Sequence, residues 1–358
     1  MAIIKYVPDD FKVNEIINID LVKEGSNNHI YLMKKRNYTT ERAVSQIAKS
    51  LHLPRKFVGY AGTKDKQAIT TQYISIAGVS KEKVERLQLK DIEVQFVGYS
   101  KNPVTLGDLK GNSFEIVLRN LSKDFKLNAP NEIHIPNYFD EQRFSNANLA
   151  IGLSMINNDF KKTADLLIET DKDFGELVKQ HLEKKPNDFI GAIKKLPKKT
   201  ILFFVHSVQS YFYNEILAQE IKKTTSTFHT IKYSEGEFVF PNIDSKLAIE
   251  QIPLIGYLSQ GYDEYLKKFN LIARNFLIRS LPDFSLEGGF RNAFFKVENF
   301  EISKLETDEE FPENKKCTIK FDLESGSYAT IVLKAILAQK DIELQETERK
   351  PKPLILSD

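Results

Sequence analysis

The 358 residues carry 51 Lys and Arg against 49 Asp and Glu, a formal net charge of +2, with one cysteine, Cys317. Such a chain can bury a full core in two domains; its near-neutral balance excludes a histone-like polycation and leaves room only for a local basic groove. One cysteine rules out an intramolecular disulfide or multi-cysteine metal site, the scattered histidines lack zinc-enzyme spacing, no Walker loop or GxGxxG suggests a nucleotide cofactor, and the lack of a long apolar span leads us to expect a soluble, intracellular protein.

Residues 2–7 (AIIKYV) and 11–17 (FKVNEII) read as strands broken at Pro8. Phe11, Val13, Glu15 and Ile17 share one face at period two. Glu15 is thus a carboxylate on an otherwise apolar face, either reaching water at an edge or held near a site. Lys5 and Phe11 carry no signal by pattern alone. Residues 29–35 form a further strand. Thr39 or Thr40 then caps a helix whose Val44, Ile47, Ala48 and Leu51 form a core-facing stripe, stopped at Pro54.

That helix should brace the next stretch, 58–72 (VGYAGTKDKQAITTQ). Apolar residues lead in and β-branched residues lead out, so both flanks read as strands. Between them Gly62 gives backbone freedom, and Asp65 stands between Lys64 and Lys66. Neighbouring cations favour a charged carboxylate, the form a nucleophile or base needs. The same residues would also suit a solvated, charged turn.

Residues 80–90 read as a charged helix, and 92–97 and 113–119 as alternating strands around a long loop at 101–112. In 135–145 (IPNYFDEQRFS), Asn137 and Phe139 offer an amide and a ring, which suit a flipped base; the alternative is a strand end with aromatics in the core, expected for Phe144. Helical pattern covers 147–170 and, most strongly, 201–222. The six lysines of 181–199 make a solvated face or an RNA-facing patch. Residues 227–259 mix short strands and turns, and helical pattern returns near 262–280. Strand pattern resumes at 293–299 and 317–323, and Ser327 is placed to cap a last helix; the tail 350–358 reads as loose.

Several of these segments resemble, in order, the signatures of the TruD family of tRNA pseudouridine synthases. They are Lys5, Pro8, Asp10, Phe11, Val13 and Glu15; Ala61-Gly62-Thr63-Lys64-Asp65-Lys66 followed by Ala68 and Thr70-Thr71-Gln72; Gly111-Asn112-Ser113-Phe114; Asn137-Tyr138-Phe139 with Gln142-Arg143-Phe144; and Gly326-Ser327-Tyr328-Ala329-Thr330. The chain departs from the family where Asp140 and Ser145 replace glycines, Glu324 replaces a proline and Asn292 replaces an arginine. That last change leaves Arg291 as a candidate phosphate contact.

The resemblance implies an α+β fold. A discontinuous catalytic domain with a mixed, mostly antiparallel sheet and flanking helices would span 1–159 and 297–358, and an inserted α/β domain 160–296. It implies isomerisation of a uridine to pseudouridine in tRNA, with no cofactor or metal, by a cytoplasmic monomer with no membrane partner. The uridine is flipped out and Asp65 acts as nucleophile, either on the sugar C1′ or on the base. The N1–C1′ bond breaks, the uracil turns, C5 bonds to C1′, and C5 loses a proton. Phe11, Phe139 and Tyr328 would wall the pocket and Asn137 would hydrogen-bond the base. Lys64 or Lys5 would support Asp65, with Glu15 orienting one of these lysines. Two alternatives stay open. One is an RNA-binding or chaperone protein of the same fold without catalysis. The other is an RNA hydrolase, for which Glu15 would be the only second carboxylate.

Overall fold

In the computed structural model, which describes residues 1–23, 27–127, 132–145 and 147–347, the chain divides into two units. Unit 1 comprises Met1–Ile133, Lys296–Ala329 and the segment from Lys340; unit 2 comprises His134–Phe295 and Thr330–Gln339.

The N-terminal part of unit 1 runs β1 (Ala2–Ile4), β2 (Phe11–Ile17), β3 (Leu21–Val22), β4 (Asn28–Arg36), α1 (Thr40–Ser50), β5 (Val58–Tyr60), β6 (Ile69–Ala77), α2 (Lys81–Glu85), β7 (Ile92–Ser100) and β8 (Leu109–Leu121). Thr39 caps α1 by accepting from the Arg42 amide, the local bond that Thr at this position supplies. The α1 stripe Val44, Ile47, Ala48 and Leu51 packs on Tyr31, Met33, Val58, Ile74 and Ile76 of the strands. Helix α2 is shorter than its charged pattern predicts, because only Val84 is buried along it.

In unit 2, after β9 (Ile133–Pro136), come α3 (Asn148–Ile156), α4 (Phe160–Thr170), α5 (Lys172–Lys184), α6 (Phe189–Ile193) and α7 (Lys198–Thr224). The pattern over 147–170 is two helices, not one. Asn158 takes φ 58°, a left-handed value that ends a helix, and Asp159 caps the next by accepting from the Lys162 amide. Residues 181–199 are likewise ordered, with Asp188 capping α6. Helix α7 is apolar on most of its circumference and buried accordingly. Helix α3 crosses it so closely that a Cβ at Gly152 would lie 2.2 Å from the Phe204 carbonyl oxygen, so residues 148–156 pack with this unit. Two hairpins follow, β10 (Phe228–Tyr233) with β11 (Gly236–Pro241), and β12 (Gln251–Leu254) with β13 (Gly289–Asn292), separated by α8 (Asp263–Lys267).

The chain re-enters unit 1 along β14 (Phe294–Ile302), then β15 (Glu306–Thr307) and β16 (Lys315–Glu324). Helix α9 (Ala329–Ala338) follows, with Thr330 onward in unit 2, and β17 (Leu344–Glu346) closes unit 1. The sheet of unit 1 has the order β3-β7-β4-β6-β2-β8-β16-β14. Its pairs are antiparallel except β2 with β6. At the margin, β17 lies parallel to β1, with Ala2 opposite Leu344 and Ile4 opposite Glu346. The fold is therefore α+β with a large, mostly antiparallel sheet. The tail 350–358 lies outside the described residues.

Candidate active site

In unit 1 the loop 61–68 leaves β5 and enters β6 at the middle of the sheet. Three buried polar side chains bind its backbone. Thr40 Oγ1 accepts from the Lys64 amide at 2.9 Å and donates to Gln72 Oε1 at 2.9 Å. Gln72 Nε2 donates to the Gly62 carbonyl at 3.0 Å. Lys35 Nζ donates to the carbonyl of Asp65 itself at 2.8 Å and to that of Tyr38. A loop whose buried polar groups are paired in this way is rigid. Sequence reasoning missed Lys35. The signal was there in β4, where Lys35 continues the buried period-two face of Tyr31 and Met33. Desolvation brings the Lys35 ammonium down to about 8, with the Asp65 charge working the other way.

The two cations considered for Asp65 part company. Lys64 turns inward and pairs with Glu15 Oε1 at 2.6 Å, both side chains buried. The other Glu15 oxygen accepts from the Tyr73 amide at 2.9 Å. The Glu15 carboxylate is thus not at a wet edge; it orients Lys64. Lys5 turns to Asp65, with Nζ 3.6 Å from Oδ2, and the same ammonium lies 3.0 Å from Glu346 Oε2 on β17. The Asp65 side chain remains 43% exposed, so a rigid backbone offers an accessible carboxylate.

Lys5 is held in an unusual way. Its φ is 56°, a left-handed value that costs a β-branched or long residue strain, and its Nζ sits 4.6 Å from the centroid of the Phe11 ring. Phe11 is itself buried, so its ring backs Lys5 and borders Phe114. The turn joining the two residues is fixed by Asp10, whose carboxylate takes two hydrogen bonds from Arg119, at 2.9 and 2.8 Å. Arg119 also donates to Asp308 at 2.8 Å.

Tyr328, half-buried, follows Gly326 at φ 91° and precedes α9. Ser327 does not cap this helix: α9 begins only at Ala329, and the Ser327 hydroxyl is buried without a hydrogen-bond partner.

Unit 2 holds the aromatic and amide segment. Asn214 of α7 grips Phe139 by both backbone groups, accepting from its amide at 2.9 Å and donating to its carbonyl at 2.8 Å. Tyr138 points the other way into the core, against Phe238 and Phe240. The guanidinium of Arg291, the candidate phosphate contact, lies 4.4 Å from the Phe139 ring centroid and donates to both the carbonyl and Oδ1 of Asn137. A guanidinium only donates, so it fixes which amide atom is oxygen. The Asn137 Nδ2 then donates to the Asn292 carbonyl at 3.2 Å. Asp140, the residue in a glycine's place, is buried. It pairs with Lys334 Nζ at 2.6 Å and accepts from Thr330 Oγ1, so its charge is neutralised inside the unit and not presented at the surface.

Among the described residues no helix is long and apolar enough to cross a membrane.

Sheet order, helices and the lysine-braced aspartate place the chain in a known class. It superposes on the crystal structure of the TruD protein of Methanosarcina mazei with TM-score 0.67 and 26% identity over 93% of this chain and 92% of that one, so its fold is that of a pseudouridine synthase. The sequence model of the family tRNA pseudouridine synthase D (TruD) matches residues 1–176 and 173–336. A Methanosarcina barkeri protein named a probable tRNA pseudouridine synthase D is 31% identical, covering 94% of this chain and 93% of its own. The Aquifex aeolicus tRNA pseudouridine synthase D is 28% identical over 93% of this chain and 97% of its own. The chain belongs to the TruD family of tRNA pseudouridine synthases.

Proposed function

We propose that the chain isomerises a uridine of tRNA to pseudouridine by base flipping, without a cofactor, using Asp65 as nucleophile. What carries this reading is the contrast among the cations around Asp65. Lys64 is bound to Glu15, Lys35 is spent on backbone carbonyls, and Lys5 alone of the three approaches the carboxylate, which stays open to solvent. Its backbone is immobilised while its carboxylate is 43% exposed beside Lys5, the arrangement a positioned nucleophile requires.

The chemistry then needs five moves. The Asp65 carboxylate attacks the uridine, and the N1–C1′ bond breaks with its electron pair going to uracil N1. The uracil turns, C5 bonds to C1′ as Asp65 leaves, and C5 gives up its proton while N1 takes one. The resemblance gives the base to Asn137, Phe139 and Tyr328; in this chain Asn137 already accepts from Arg291 and donates to the Asn292 carbonyl, so its amide is held in one orientation, and Phe11 backs Lys5. A detached base that must turn is better held by a ring face and one or two hydrogen bonds than by a full polar cage.

The test is Asp65→Asn, assayed by tritium release from tRNA labelled at uridine C5. Isomerisation should vanish while tRNA binding persists; retained turnover sinks the assignment. Binding without catalysis in the parent draws its support from the glycine replacements at Asp140 and Ser145, and the burial of the Asp140 carboxylate against Lys334 and Thr330 speaks against the first of these.

A further inference from the structure

The reaction leaves one proton without an acceptor. When C5 has joined C1′ it still carries its hydrogen, and aromaticity returns only when a base removes it. Asp65 is at that moment the leaving group at C1′. Glu15 cannot serve, because its carboxylate is fully buried and committed to Lys64 and the Tyr73 amide. The sequence offered no other carboxylate.

The fold supplies one. Strand β17 runs parallel to β1, and the register that sets Ile4 opposite Glu346 carries the Glu346 side chain to the Lys5 ammonium. Lys5 therefore stands between two carboxylates, 3.6 Å from Asp65 and 3.0 Å from Glu346. Glu346 is about a third exposed, so it is open to a ligand reaching Asp65. Two carboxylates flanking a scissile glycosidic carbon, one attacking the carbon and the other moving a proton, is the general solution for breaking such bonds.

We propose that Glu346 is a second catalytic residue, the base that takes the C5 proton. This rests on Asp65 being the nucleophile. The step balances within the substrate. The C5–H bond breaks, its proton goes to a Glu346 oxygen, and its electron pair restores the C5–C6 double bond. N1 gains a proton from Glu346 or water, so no oxidant or reductant is needed. The shared ammonium fits this order of events. As Asp65 spends its charge on a bond to the uridine, the Lys5 ammonium still lies against Glu346 and holds that carboxylate beside the reacting base.

The experiment compares Glu346→Gln with the parent on tRNA carrying protium or deuterium at uridine C5. The variant should turn over about 100-fold or more slowly, the usual share of a general base. It should bind tRNA as the parent does and show a primary isotope effect that the parent lacks. Glu346→Ala should recover activity in added formate. Unchanged turnover overturns the proposal. So does slow turnover with no isotope effect and no formate rescue, which would make Glu346 only the counterion of Lys5. Asp65→Asn is run alongside. If that variant is active, the nucleophile reading has failed; if it is dead while Glu346→Gln is normal, only the base has.

Discussion

Lys64 and Asp65 are adjacent in sequence and opposed in direction: the ammonium of Lys64 is buried 2.6 Å from Glu15, while the Asp65 carboxylate faces solvent beside Lys5. The pair at the centre of the motif is thus one buried anchor and one exposed carboxylate. The lysine ties the loop to β2, and the aspartate is what the anchoring presents.

Removing one half of that anchor should be costly. Glu15→Gln leaves the Lys64 ammonium buried without a counterion, and breaking such a pair typically costs about 3–5 kcal/mol. Chemical denaturation should show unit 1 destabilised by that order. Adding Lys64→Met to Glu15→Gln should return much of the loss, because two uncharged partners leave no orphaned ion.

Lys35 acts on the Asp65 backbone, not its carboxylate. Lys35→Met should leave tRNA affinity nearly unchanged and lower kcat by about 10- to 100-fold, the scale of a small misplacement of a reacting group, as read in single-turnover assays. Stability should also respond to pH in a defined sense. The Lys35 ammonium loses its proton near 8 in the folded protein against an ordinary 10.5, so the unfolded chain binds more protons between those values. The parent should therefore gain stability relative to Lys35→Met as pH rises from about 8 towards 10.5, measured by urea unfolding across that range.

Arg291 should behave as a positioning residue for Asn137 and Phe139. Arg291→Lys keeps the charge but cannot reach both Asn137 oxygens while lying flat on the ring. The expected loss in kcat/KM is about 10-fold, the worth of one charge-assisted hydrogen bond. The dependence of tRNA affinity on log salt should keep its slope, whereas loss of a phosphate contact would lower it by about one.

Asp140→Gly returns the residue typical of the family, yet it should harm this protein. It strips the counterion from Lys334 and the acceptor from Thr330. Thermal unfolding should show the variant less stable by about 3–5 kcal/mol, as for other half-removed buried pairs. Affinity for tRNA should not rise, since the charge removed is buried and paired inside unit 2.

Much of this was legible in the chain, and the boundary of legibility has a physical cause. The α1 stripe and the Asp65 stretch announce themselves because their partners lie within a turn or a strand's length. Glu15 on an apolar face was visible as an anomaly, and Lys35 after Tyr31 and Met33 was the same anomaly overlooked. The bonds of Arg291 were invisible because nothing nearby in sequence shows that Asn137, 154 residues away, accepts from it. Glu346 was silent for the same reason: a lone glutamate in a short strand means nothing until β17 is paired with β1. The single break at Asn158 shows the smaller failure, a left-handed residue that apolar periodicity cannot register.

The pairing of β1 with β17 also sets an order of assembly. During synthesis Lys5 and Asp65 leave the ribosome with most of the chain still to be made, so Glu346 follows them by roughly tens of seconds at ordinary elongation rates. Until then the ammonium lacks the Glu346 carboxylate. A chain stalled or clipped short of β17 would therefore carry an intact signature motif and a correctly seated lysine, and yet be missing a piece of the same electrostatic triad.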